Sequence, residues 1–174
     1  MFVAITSTTL TQENEHMVAD SLAWFNSDRQ MAELLLGIIA SPRTGPSLRL
    51  MDHLVGHYSK EVPVSVPGRG GVPVDLCMEY KRELQASSKK YLDAFKRHMP
   101  VEAVVLGRAV RTTLGQLRFI AWFQKLGLHE YLRDNEQAIK QHMNDKMKGT
   151  RTALAVCPKR SEAALHRGNF VMEF

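Results

Sequence analysis

The chain has only two cysteines among its 174 residues, Cys77 and Cys157, and neither stands in a CxxC pair. That spacing excludes a zinc ribbon and a dithiol redox motif. It predicts buried, reduced thiols in an intracellular setting, with a single Cys77–Cys157 disulfide as the alternative. No apolar run approaches the roughly 18 residues of a membrane span. The opening MFVAITSTTL has neither the basic leader nor the apolar stretch of a secretory signal, so a soluble protein with no membrane partner is expected. There is no nucleophile elbow, HExxH pair or phosphate loop. Gly68, Gly70 and Gly71 lack the Lys and hydroxyl of such a loop, and PGRGG reads as a turn with Arg69 at its tip. Zinc-finger and RNA-recognition signatures, internal repeats and low-complexity tracts are also missing. A non-enzymatic protein without cofactor or metal is the reading these absences leave.

With 44% hydrophobic residues, the chain is large enough to bury one core without staples. The spacing predicts a mainly α (α+β) fold, a single compact domain of about five to six helices with a short β-hairpin and short terminal strands. Residues 1–60 form a helical segment, 61–74 a β-hairpin, 75–149 a basic helical segment, and 150–174 a basic C-terminal segment ending in a short strand.

The best-specified stretch is TLGQLRFIAWFQKLG, residues 113–127. Thr113 and Gln116 make a capping box, Leu117, Ile120, Phe123 and Leu126 recur at helical spacing, and Gly127 supplies a left-handed stop. Phe119 and Trp122 widen the apolar face, which makes this the central core helix. Before it, residues 2–5 suggest an edge strand. Thr11 opens a helix that turns Met17, Val18, Leu22 and Phe25 inward, and Ser27 with Gln30 makes a second capping box for MAELLLGIIA. SPRTGP breaks that helix, and Ser47 caps LRLMDHLVGHYSK, with Leu50, Leu54 and Tyr58 inward. On this third helix His53 and His57 are four apart on one face. That spacing can ligate a metal, yet no neighbouring carboxylate or cysteine completes a site. Asp52, beside His53, points to a different side of the helix and cannot share a substrate with it.

The valines at 62, 64 and 66, and again at 72 and 74, predict a hairpin around PGRGG. Asp75 then caps a helix through residues 76–99, either continuous or broken near Ser87 and Ser88. VEAVVLG reads as a strand, and RAVRTT leads into the central helix. After Gly127 comes a short helix, LHEYLRDN, and Asn135 caps EQAIKQHMNDKMK with Ile139, Met143 and Met147 on one side. The basic tail that follows is either an arm that orders on binding or a loop closed by a strand at 170–174.

Charge is segregated. Residues 1–78 hold 5 Lys and Arg against 8 Asp and Glu, whereas residues 79–174 hold 18 against 10, a surplus of eight. Such a half suits an acidic partner. Lys81, Arg82, Lys89, Lys90, Lys96 and Arg97 form pairs about seven residues apart, a basic stripe on an unbroken helix. Arg108 and Arg111 precede the start of the central helix, where free amides and the dipole favour an anion, and Arg118 lies on its polar side. These cations are the candidate nucleic-acid contacts, directed at phosphates rather than base edges. The alternative partner is an acidic protein surface, and self-association stays open.

Three passages, SLRLMDHLVGHYSK, MEYKRELQASSKKYLDAFKRH and TTLGQLRFIAWF, in that order and spacing, resemble small uncharacterised proteins of nucleocytoplasmic large DNA viruses. The likeness covers about half the chain and departs from that pattern in lacking a proline within residues 91–95. It implies a viral source and a place in the infected cell, either the nucleus or a cytoplasmic viral factory, or in the virion as a minor capsid or assembly protein. It carries no activity, cofactor or catalytic residue.

Overall fold

The computed structural model describes residues 10–40, 46–68, 71–95, 97 and 99–155. Expectations for strands at 2–5 and 170–174, the break at 41–45, Arg69, Lys96, the basic tail and the Cys77–Cys157 pairing fall outside these residues. The described chain is mainly helical, as the spacing predicts, and has two small antiparallel hairpins where one was expected. Helix α1 (Gln12–Asn26) starts at Thr11, whose hydroxyl accepts the Asn14 amide. Helix α2 (Arg29–Ala40) follows a tight bend. There the cap differs from the expected box. Asp28 Oδ1 accepts the Gln30 amide at 2.7 Å, while the Ser27 hydroxyl turns back to the Trp24 carbonyl. A carboxylate one residue later, nearer the positive end of the helix, displaces the serine.

The third expected helix is three pieces. Helix α3 (Leu48–His53), capped by Ser47, runs into a π-helical turn (Leu54–Tyr58) and then into α4 (Ser59–Glu61). In the widened turn the Ser59 amide reaches back to the Leu54 carbonyl, and the buried Ser59 hydroxyl takes the Val55 carbonyl at 3.0 Å. Strands β1 (Ser65–Pro67) and β2 (Pro73–Asp75) pair antiparallel with Val66 opposite Val74, and Asp75 caps α5 (Leu76–Ser87) through the Met78 amide.

Helix α5 stops at Ser88, whose φ of 60° lies in the left-handed region that L side chains rarely adopt. A 3₁₀ turn (Lys89–Tyr91) and irregular chain follow, so the helix over 76–99 is broken. Strand β3 (Pro100–Val105) then pairs with β4 (Arg108–Thr113), with Val101 opposite Thr112 and Ala103 opposite Val110. RAVRTT, expected as a lead-in, is therefore a strand. The reversal at Leu106 and Gly107 has φ of 49° and 78°, the two positive values of a two-residue hairpin turn.

Helix α6 (Leu114–Lys125) is the centre. Leu114, Leu117, Phe119, Ile120 and Phe123 are wholly buried. Each such side chain contributes about 1.5–3 kcal/mol by leaving water. Thr113 accepts the Gln116 amide at 3.2 Å, but the Gln116 side chain bonds Thr112 rather than closing the box. Gly127, at φ 67°, ends the helix as expected and leads to α7 (Leu128–Asp134). Asn135 does not cap α8 (Glu136–Ala155) with its side chain. Its Nδ2 donates to the Tyr131 carbonyl and closes α7. Helix α1 packs on α2, α6 and β3, and α8 packs on α3 and the π turn. Among the described residues no helix is long and apolar enough to cross a membrane.

A Cβ at Gly115 would stand 2.7 Å from the Asp93 carbonyl oxygen, whereas one at Gly56 would meet nothing within 4 Å. Gly115→Ala should therefore destabilise by about 1–3 kcal/mol, and Gly56→Ala should be neutral or stabilising by up to about 1 kcal/mol. Urea unfolding midpoints of the two variants check this; an unperturbed Gly115→Ala would show that the turn over α6 yields freely.

Candidate functional site

The fold separates the cations that spacing would align. Lys81 and Arg82 lie on α5, and Arg82 is ion-paired with Glu79. Beyond the break at Ser88, Lys89 and Lys90 stand exposed on the 3₁₀ turn, with the Lys90 ammonium 4.5 Å from the Tyr91 ring centroid. Arg97 is exposed on the same connection. The stripe needed one unbroken helix, so it does not form across α5. Arg108 and Arg111 sit on β4 rather than before a free helix end. By strand alternation they face opposite sides of the hairpin, Arg108 opposite Val105 and Arg111 opposite Glu102. Arg118 is half-buried and turned inward. Its guanidinium donates to Ser87 Oγ at 3.1 Å and Met17 Sδ at 3.4 Å, and lies 5.7 Å from the Tyr91 ring.

The expected anion site at the start of α6 is closed as well. The Leu114 amide donates to the Met99 carbonyl, the Gln116 amide goes to Thr113, and buried Gly115 lies under the Lys90 and Asp93 carbonyl oxygens. Carbonyl oxygens from the protein itself occupy the place a phosphate would take.

A different site is built where α8 meets α3. A cleft of about 400 Å³ is lined by Arg49, Asp52, His53 and His57 on one side and Met143, Lys146 and Met147 on the other, so Asp52 and His53 border one space, contrary to the expectation from helix geometry. From His53 in its lining runs a hydrogen-bonded chain: His53 Nε2 lies 2.9 Å from His142 Nδ1, and His142 Nε2 lies 3.0 Å from Glu61 Oε2. Lys146 pairs with the other Glu61 oxygen. The His53 and His57 rings stack at 5.3 Å with planes 22° apart, His53 buried and His57 exposed. Burial, then the positive charges that His142 and His57 can carry, lowers the His53 pKa to about 4, against the pull of Glu61. The hydrogen bonds from Lys146 and His142 hold the Glu61 carboxyl below its usual range. Asp52 is raised, first by burial and then by Asp93, with His57 and Lys89 pulling the other way. Lys89 is thus within electrostatic reach of the cleft.

His53 Nε2 is committed to His142, and among the described residues no group of three or more His, Cys, Asp or Glu is arranged to hold an ion. His142 and Glu61 are functional candidates that spacing missed, although His142 shares the inward face with Ile139 and Met143. A polar residue on an apolar stripe is the signal. A second cavity of about 340 Å³ is bordered by Leu34, Leu50, Leu132 and His129. Both His129 ring nitrogens are buried without a partner among the described residues, and burial lowers its pKa to about 4.

A family model described as a family of unknown function, DUF7197, matches residues 2–165. No curated protein and no solved structure matches the chain.

Stability should fall with acid. His53 and His129 have depressed folded values near 4 against 6.5 in the unfolded chain, so the unfolded chain takes up protons first as pH drops. Their contribution is complete above pH 6.5 and is lost progressively down to about pH 4, up to about 3 kcal/mol each. Glu61, depressed from 4.5, adds a further loss below that value. Urea unfolding at about pH 7.5, 5.5 and 4.5 measures the slope. His129→Leu should remove about half of it between pH 6.5 and 4, and an unchanged slope would contradict the burial effect.

Proposed function

The chain belongs to this family of unknown function, and we propose that it acts as a non-enzymatic nucleic-acid-binding protein that holds phosphates with the basic connection between α5 and β3. The observation that carries this reading is the exposure of Lys89, Lys90 and Arg97 on one short connection, none ion-paired among the described residues. The Lys90 and Asp93 carbonyls face Gly115, and Met99 accepts the Leu114 amide, so these described parts of the connection lie against the start of α6. Arg111 stands on the outer face of β4, directly across from Glu102. The surplus of eight positive charges in residues 79–174 draws a polyanion to this half. Arg82 and Arg118 are engaged within the fold and drop out of the contact set. Lys81 and Arg108 stand on α5 and at the far end of the hairpin.

Such a site reads backbone rather than sequence. Fluorescence anisotropy with a short duplex and a single strand at about 50 and 200 mM salt should show affinity falling steeply with salt. The variant K89E/K90E/R97E should lose most binding and reduce the salt slope by about 2–3. K81E/R108E should stay close to the parent. Binding that ignores salt, or equal losses in both variants, would refute the assignment.

A further inference from the structure

We infer that the cleft between α3, the π turn and α8 receives one nucleotide unit, a nucleobase with its phosphate, either free or as an unpaired residue of a strand. This goes beyond the basic connection, because it needs no polymer. The volume of about 400 Å³ falls within the range of small-molecule sites, and the lining divides into two chemistries. At the rim, Arg49 is exposed, and its guanidinium reaches only the Met147 sulfur, at 3.5 Å, among the described residues. A thioether is a weak acceptor, so most of its five donors are left for a phosphate. Lys146 lines the opposite side, with its ammonium paired to Glu61.

The rest of the lining suits a flat heterocycle. His57 is the outer member of the stacked imidazole pair, so its exposed ring can continue the stack onto a base. Met143 and Met147 supply polarizable sulfur against a ring edge. Asp52, half-buried in the wall beside His53, is an acceptor for an exocyclic amine, the group that adenine, cytosine and guanine carry and uracil lacks. The Glu61–His142–His53 chain fixes the wall on which the stack is built. Other ligand classes fit less well. An inorganic anion would meet the Asp52 carboxylate and leave two rings and two thioethers unused. An apolar ligand would cover Arg49 and Asp52 without bonding them. A metal ion would have to break the bond between His53 and His142.

Titration of the full chain with AMP, CMP, UMP, adenosine and inorganic phosphate, followed by calorimetry and amide chemical shifts, tests this. AMP and CMP should bind about tenfold or more tighter than adenosine, phosphate or UMP, with shifts at residues 49–57 and 143–147. Asp52→Asn should lower AMP affinity about tenfold and leave UMP unchanged. Arg49→Met should weaken AMP and UMP alike and spare adenosine. Unfolding midpoints show whether each variant is folded, and a conservative Arg49→Lys, which keeps the charge, should restore part of the affinity. Phosphate binding as tight as AMP, equal affinity for UMP and AMP, or shifts confined to other faces would overturn the inference. K89E/K90E/R97E separates the two readings. Retained AMP affinity in that variant supports an independent cleft, whereas loss of AMP affinity together with polymer affinity would assign the nucleotide to the basic connection instead.

Discussion

The buried start of α6 is the constraint on which the rest of the structure depends. Leu114 and Gly115 are enclosed because the chain from Ser88 to Met99 folds back over them, with the Asp93 and Lys90 carbonyls against Gly115 and the Met99 carbonyl on the Leu114 amide. A side chain at 115 would hold that segment away. Helix α5 must therefore end at Ser88, and the chain must reach Pro100 in register with Thr113. Arg118, four residues after Leu114, locks the same junction from inside by bonding Ser87, which in turn bonds Glu83. A cation that spacing assigns to a wet face is used here to join α1, α5 and α6.

Helix α8 is attached in a different way. Ile139 is buried and Met143 half-buried, but the contact with α3 and α4 also runs through polar groups. His142 sits between an imidazole and a carboxylate, and both of its nitrogens are occupied. With His142 neutral, His53 Nε2–H donates to Nδ1 of His142, and Nε2–H of His142 donates to Glu61. With His142 charged, it donates in both directions and His53 accepts. Either way both hydrogen bonds of His142 are kept. A proton on His53 is disfavoured first by burial and then by its neighbour His142. The π turn belongs to the same construction. It carries His57 outward while Leu54, Val55 and Tyr58 remain in the core, a use of a widened turn that recurs at functional sites.

The fate of the nine candidate cations shows what helical spacing can and cannot imply. Pairs seven residues apart align only while the helix lasts, and α5 lasts twelve residues. The turn that replaces it carries Lys89 and Lys90, Arg97 follows on the same connection, and strand alternation places Arg108 and Arg111 on opposite faces.

Local chemistry in the sequence determined the helical class, the caps at Thr11, Ser47, Asp75 and Thr113, the stop at Gly127, the hairpin around residues 65–75 and the buried face of α6. Each depends on residues within one or two turns of each other, and the relevant hydrogen bonds span three or four positions. Local rules failed where two local options compete, as with Asp28 displacing Ser27 and with Asn135 closing α7. Only the tertiary structure decided that RAVRTT is a strand, since its partner β3 must be present before its alternation has meaning. It alone brought His142 and Glu61 to His53, across 89 positions in one case and 81 between His142 and Glu61 in the other. No periodicity encodes a contact of that separation, because it arises when two independently formed helices bury their apolar stripes against each other and the polar residues at the seam must find partners.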